Sequence, residues 1–415
     1  MSFEIVEKSS VLREIVITVP GDVVRKVERK LVESTRKSIS LKGFRKGKVP
    51  ANLIRQRAGE SITEDARRES LQESVREAIA TIDNLLHVGQ VDIVTPKTDD
   101  GGFVARVDAE VRPVLEVKDY KGIEISEPDV NVTDEMVAEA LDAKRERFAV
   151  IEKVEGRDTV EDGDVLAVEL SNPNEAAQKF CAAGSRQISI GKGYFNENME
   201  KALVGAKIDN AVEVKATVDD AEAVVTVTVK EIKKRVLPAL DDAFAKTTGD
   251  AETLDELREK TRKQVTETKE NERNESINKK LMEKLRASNP IEIPEGYVKS
   301  RATQAIRLQL EQLMRQQIGD EMLDRIAANI RPEELEEYRI DYHNEIILDA
   351  VAKAENIEVS EDDVLAEAHK WFQGMSDEKI RAWLKSNNAS NFVGDAVKRD
   401  RASDLVKEAA KITKE

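Results

Sequence analysis

The 415-residue sequence has a single cysteine, Cys181, and only three histidines, His87, His343 and His369, far apart along the chain. One cysteine excludes an internal disulfide and any multi-cysteine zinc site. The histidines make no HExxH pair, and no histidine is placed for a nucleophile–base relay. Aromatic residues are only 4% of the chain, which argues against one large aromatic-rich globule. No apolar run approaches the roughly 18 residues that a membrane-spanning helix needs. The stretch Met1–Lys8 carries two glutamates and no apolar segment, so an ordinary secretory signal is not expected there. A GxxxxGK[ST] loop is also missing, which removes the usual nucleotide cradle. No cofactor, metal or nucleotide is expected, and the chain reads as a soluble protein of a reducing cytoplasm.

Charge is abundant. Charged residues make up 36% of the chain, with 66 Lys and Arg against 82 Asp and Glu, for a formal net of −16. The apolar share of 40% is still enough to build cores. At roughly 100–200 residues per domain the length suggests two to four domains. The overall reading is a multidomain α+β chain.

Residues 1–112 read as an α+β domain. Ile15, Ile17 and Val19 alternate with strand period. Pro20-Gly21-Asp22 opens a helix with Val24, Val27 and Leu31 on one face. Ser61-x-x-Glu64 resembles a capping box, predicting the start of a second helix that carries Leu71, Val75, Ile79 and Ile82. Strands are predicted near 85–95 and 103–111, joined through the turn Asp99-Asp100-Gly101-Gly102. Residues 113–149 read as a joining segment: extended chain first, then a helix capped by Thr133. Residues 150–236 are β-rich, with buried strands expected at 165–168 and 224–229 and a short helix from Asn196 to Leu203. From 237 to 415 the pattern is helical. A helix from about Ala251 to Ser288 has leucines and isoleucine at its ends and a polar middle, Thr266 to Ser276. Such a helix cannot bury its middle, which predicts a protruding arm. Pro294, Pro332 and Ser360-x-x-Asp363 mark later helix starts.

Residues 25–57 stand apart. Twelve basic residues face two acidic ones, Glu28 and Glu33, so the segment is near +10 and the remainder near −26. This separation makes a local positive potential suited to phosphates or an acidic partner. At its centre lies Gly43-Phe44-Arg45-Lys46-Gly47-Lys48-Val49-Pro50. Two glycines and a proline shape a loop, and Phe44 has no strand or helix period that would bury it. An aromatic among cations on a loop is a docking device, with burial in a partner contributing about 1.5–3 kcal/mol.

This loop is similar to the Gly-Phe-Arg-x-Gly-x-x-Pro signature of the bacterial trigger factor family, and Gly43, Phe44, Arg45, Gly47 and Pro50 match every fixed position. The order of segments along the whole chain resembles that family too, including Val236-Leu237-Pro238-Ala239-Leu240-Asp241-Asp242-Ala243-Phe244 and Ile357-Glu358-Val359-Ser360. The resemblance implies an ATP-independent chaperone docked at the exit tunnel of the large ribosomal subunit, touching an exit protein and adjacent rRNA and shielding unfolded nascent polypeptides. It also implies a homodimer off the ribosome and no membrane partner. The ribosome-binding residues would be Gly43, Phe44, Arg45, Lys46, Gly47, Lys48 and Pro50. The middle domain would be FKBP-like, a prolyl isomerase fold with a pocket from Phe180, Ile188, Tyr194, Phe195 and Met199. The all-α C-terminal chaperone domain would carry extended arms, with Leu308, Leu310, Leu313, Met314 and Ile318 in the substrate cradle.

The middle domain departs from active relatives of the resemblance. Where they carry an aspartyl/aromatic strand before Thr-Gly, this chain reads Val168-Glu169-Leu170-Ser171-Asn172-Pro173. Where they carry Ile-Pro-Gly-Phe, it reads Gly193-Tyr194-Phe195-Asn196. At most weak turnover on a proline peptide is expected. Two competing readings stay open here. One is a folding enzyme whose main role is proline isomerisation. The other is an RNA-binding ribosome-associated factor that uses only the basic segment.

Overall fold

The computed structural model describes residues 2–38, 44, 47–127, 129–171, 173–174, 177, 183–191, 197–218, 221–314, 319–372, 374–386 and 389–414, without the side chains of 197–199, 216–218, 221–222, 313–314 and 414. The elements run β1 (Ser2–Glu7), β2 (Leu12–Val19), α1 (Gly21–Ser38), α2 (Ala51–Ile79), β3 (Leu85–Thr95), β4 (Phe103–Val111) and β5 (Glu124–Glu127). Next come α3 (Asp134–Arg147), β6 (Val150–Lys153), β7 (Val165–Ser171), β8 (Gly184–Ser189), α4 (Glu197–Leu203), β9 (Ala211–Val218) and β10 (Ala221–Val236). Then follow α5 (Asp242–Thr248), α6 (Leu254–Ser288), α7 (Glu295–Met314), α8 (Asp320–Ala327) and α9 (Pro332–Ala354). The chain finishes with α10 (Glu361–Trp371), α11 (Asp377–Ser386), α12 (Ser390–Ala409) and β11 (Lys411–Lys414). Two compact units result: Met1–Glu127 with Ser276–Glu415, and Pro128–Glu275.

In the first unit an antiparallel sheet has the order β1-β2-β4-β3. The predicted alternation sets its register: Ile15 pairs Val107, Ile17 pairs Ala105 and Val19 pairs Phe103. All six are buried on one face, against Val24 and Val27 of α1. Helix α2 starts at Ala51 after Pro50, not at Ser61. Its break lies at Ala58 (φ −131°, ψ 16°), beside Gly59, so Ser61 sits within the helix and does not cap it. Burial of Ile54 and Ile62 with Val32 and Val49 holds the earlier turns, which propensity alone did not reveal. The buried row of α2 is Ile62, Ala66, Ser70, Ser74 and Ala78. These are four apart and mostly small, so the backbone lies close to its neighbours and Leu71, Val75 and Ile79 flank it half-buried.

The helical part of this unit packs around Ile277, Leu281 and Leu285 of α6, Ile347 and Val351 of α9, and Val406 of α12. Ser360 caps α10 as predicted, accepting from the Asp363 amide, while the Asp363 side chain accepts from the Ser360 amide. The last described residues depart from the helical expectation. Strand β11 runs parallel to β5, which lies in the stretch read as extended linker, with Ile412 opposite Ile125. Four residues with no hairpin partner nearby leave no local sign of such a pairing. Helix α8 was also not separated from its neighbours by sequence.

The second unit has a sheet of order β6-β10-β7-β8, with β9 also pairing β10. Val165, Leu166, Val168 and Leu170 of β7 and Val225, Val227 and Val229 of β10 are buried, as their apolar runs predict. Thr133 caps α3 by accepting from the Met136 amide. Phe244 of α5 packs with Val137, Leu141 and Leu257. Along α6, no residue from Thr266 to Ser276 is buried.

Candidate docking surface

The candidate surface begins with α1. Its buried positions, Val24, Val27 and Val32, leave Arg25, Lys26, Arg29, Lys30 and Lys37 exposed. Two neighbouring cations are paired: Arg55 with Glu28 at 3.6 Å and Arg36 with Glu33 at 3.4 Å. Among the described residues, Lys26, Arg29, Lys30, Lys37, Lys48 and Arg57 have no ion-pair partner. Unpaired exposed cations hold no internal partner that docking would have to displace.

The loop between α1 and α2 is anchored at its α2 end. Val49 is fully buried with Val32 and Ile54. Pro50 is exposed and sits at the N-cap of α2, with φ −63° suited to its ring. Gly47 lies at φ +83°, in the left-handed region that favours glycine. Lys48 is exposed. Phe44 is 41% exposed, unlike the buried apolar residues that pin the loop. Gly43, Arg45 and Lys46 lie outside the described residues.

At the other end of α1, the β3–β4 turn meets the helix start. The Gly21 amide donates to Asp100 Oδ2 at 2.7 Å, and the Gly102 amide donates to Asp100 Oδ1 at 3.1 Å. The Thr98 hydroxyl donates to Oδ1 at 2.5 Å, and Arg25 Nη1 donates to the Asp100 carbonyl at 2.8 Å. The Thr98 hydroxyl, then the Gly21 and Gly102 amides, hold the Asp100 carboxyl down at about 2.

The other predicted positions are scattered. Ile188 on β8 is 2% exposed, packed in the core of the second unit. Phe180, Tyr194 and Phe195 lie outside the described residues, as does the side chain of Met199. On α7, Leu308 is 54% exposed and Leu310 half-buried. The side chains of Leu313 and Met314, and Ile318, lie outside the described residues.

Sequence reasoning missed several exposed apolar groups. Met322 and Ile326 of α8 line a shallow cavity of about 570 Å³ with Gly319, Arg325 and Asn329. Trp371 and Phe392 are exposed with ring centroids 6.3 Å apart, and Met375 is exposed too. The i, i+4 spacing of Met322 and Ile326 was a usable signal, but Leu323 and Ala327 form a second apolar row on the same short helix, and that row is the buried one.

The chain thus presents a basic helix, a loop with an exposed aromatic, and a helical body with exposed apolar groups. Residues 1–144 match the family model described as bacterial trigger factor protein (TF), and residues 253–408 match that described as bacterial trigger factor protein (TF) C-terminus. Trigger factor of Rhodococcus jostii (strain RHA1) is 30% identical, covering 96% of this chain and 88% of its own. That of Rhodococcus opacus (strain B4) is 31% identical over the same shares, 96% and 88%. That of Geobacter sp. (strain M21) is 29% identical, covering 100% and 98%. The chain belongs to the trigger factor family of ribosome-associated chaperones. Among the described residues no helix is long and apolar enough to cross a membrane.

Proposed function

We propose that the chain docks at the exit of the large ribosomal subunit in the cytoplasm through the loop Gly43–Pro50 and the basic face of α1, and shields emerging polypeptides without nucleotide. The observation that carries this reading is Phe44, exposed on a loop whose α2 end is pinned by Val49 against Val32 and Ile54. The ring supplies apolar contact to an exit protein. The unpaired cations speed and orient the encounter and face adjacent rRNA. Residues 1–112 form the docking domain in this reading, with 113–149 as connector, 150–236 as the FKBP-like module and 237–415 as the client-holding part. Away from the ribosome the chain associates with a second copy.

Clients bind weakly and at many places. Leu308, Met322, Ile326, Trp371 and Phe392 are exposed apolar groups set among charged residues, which suits short apolar segments of varied sequence. The FKBP-like module acts at most weakly on proline bonds, since its motifs depart from active relatives.

The test is co-sedimentation with ribosomes of the native chain and a Phe44→Ala, Arg45→Ala, Lys46→Ala variant. The native chain pellets and the variant stays in solution. Equal pelleting would sink the docking assignment. A protease-coupled proline-peptide assay checks the isomerase statement, and robust turnover would reverse it.

A further inference from the structure

We propose that Asp100, at the tip of the β3–β4 hairpin, is a positioning residue for ribosome docking: it locks the start of α1 in place and thereby aims the loop at the helix's far end. This inference rests on the docking reading above.

The geometry is a two-sided interlock. One carboxylate gathers the Gly21 amide, the Gly102 amide and the Thr98 hydroxyl, and the carbonyl of the same residue receives Arg25. There is no slack on either side. A Cβ on Gly21 would lie 2.1 Å from the Asp100 carbonyl oxygen, and a Cβ on Gly102 would lie 2.2 Å from the Val19 carbonyl oxygen. Glycine at both positions lets the hairpin backbone press onto the junction of β2 and α1.

Apolar packing alone does not supply this. Val24, Val27 and Val32 hold α1 down, but hydrophobic contact is non-directional and leaves sliding and swivelling soft. Hydrogen bonds to a fixed carboxylate are directional and set the helix's axial register and heading. The helix is a lever: 18 residues at ~1.5 Å each make roughly 27 Å between the clamp and the loop. A tilt of about 10° at the clamp would displace the far end by roughly 5 Å, more than a hydrogen bond tolerates. The charged row from Lys26 to Lys37 would lose its alignment with the partner's phosphates at the same time.

The experiment is a binding titration against purified bacterial ribosomes at several salt concentrations, using the full chain, Asp100→Ala, Asp100→Asn and Phe44→Ala, with circular dichroism and thermal melts on each. Asp100→Ala should raise Kd about five- to tenfold and flatten the salt dependence, because fewer cations reach phosphate together. Asp100→Asn keeps an acceptor for the Gly21 amide and should fall between. Phe44→Ala should raise Kd with the salt dependence unchanged. Should Asp100→Ala fail to fold, Asp100→Asn and Thr98→Val carry the test in the same order. Unchanged Kd for folded Asp100 variants, or fewer binding-competent molecules with the native Kd, would overturn the positioning role and leave docking intact. No binding by the native chain would overturn both.

Discussion

The basic end of the molecule and its exposed apolar groups solve opposite recognition problems. From α1 to α2 the cations are concentrated on one helix and one loop, and a single aromatic is left uncovered among them. On α7, α8, α10 and α12 the exposed apolar residues are few and fall in small separate groups: Leu308, Met322 with Ile326, and Trp371 with Phe392. Concentrated charge with one apolar anchor favours a single partner in a single orientation. Dispersed apolar groups favour many partners in none. The lesson is that one chain can carry a specific contact and a permissive one, provided the directional groups stay in one place.

Salt separates the two regions most strongly. If about four of the unpaired cations meet phosphates, raising salt from about 50 to about 200 mM should weaken ribosome binding on the order of a hundredfold, while capture of an unfolded client changes little. Equal sensitivity of both would erase the distinction. Next comes Phe44→Ala. With Phe44 41% exposed, burying the rest of the ring in a partner contributes on the order of 1 kcal/mol, so its loss should raise the ribosome Kd about fivefold, with the melting temperature little changed. A lowered melting temperature would mean that the ring packs within its own fold.

Ser360→Ala tests the scaffold that holds the permissive surface. Losing this N-cap should cost about 1 kcal/mol, read in a denaturant titration. Acid probes the same cap. The Ser360 amide, then its hydroxyl, then Arg401 hold the Asp363 carboxyl down at about 2. A folded value below the unfolded one means the contribution is full above pH ~4 and fades as pH falls toward 2. An α10 whose stability is flat between those pH values would contradict this.

Smaller effects follow. Leu308→Ala should shift stability by less than ~0.5 kcal/mol and weaken client capture by no more than about twofold, since dispersed sites substitute for one another. A large loss would show instead that this leucine is a focused site. Smallest is Ser70→Ala. The Ser70 hydroxyl is buried without a partner among the described residues, so removing it should leave stability unchanged or raise it by a few tenths of a kcal/mol. A clear loss in a melt would contradict this.

Legibility in the sequence followed how local the deciding physics is. The alternation of Ile15, Ile17 and Val19 and the Thr133 and Ser360 caps rest on interactions within a few residues, and each was readable. Ser61 misled because a local capping signature lost to packing: buried Ile54 and Ile62 draw the chain into helix from Ala51. The exposed state of Trp371 and Phe392 was unreadable, since helical spacing gives the same pattern for buried and uncovered rings. Ile188, read as a pocket residue, is buried in the core of the second unit.

Sequence by itself determined the charge segregation, the β-rich and helical stretches, and the position of an aromatic among cations, because composition, period and turn chemistry act over short distances. Only the tertiary structure decided that β11 pairs with β5 some 287 residues earlier, that Asp100 clamps Gly21, and which apolar side chains remain uncovered. Those outcomes depend on which surfaces meet in space, and no window along the chain contains both partners.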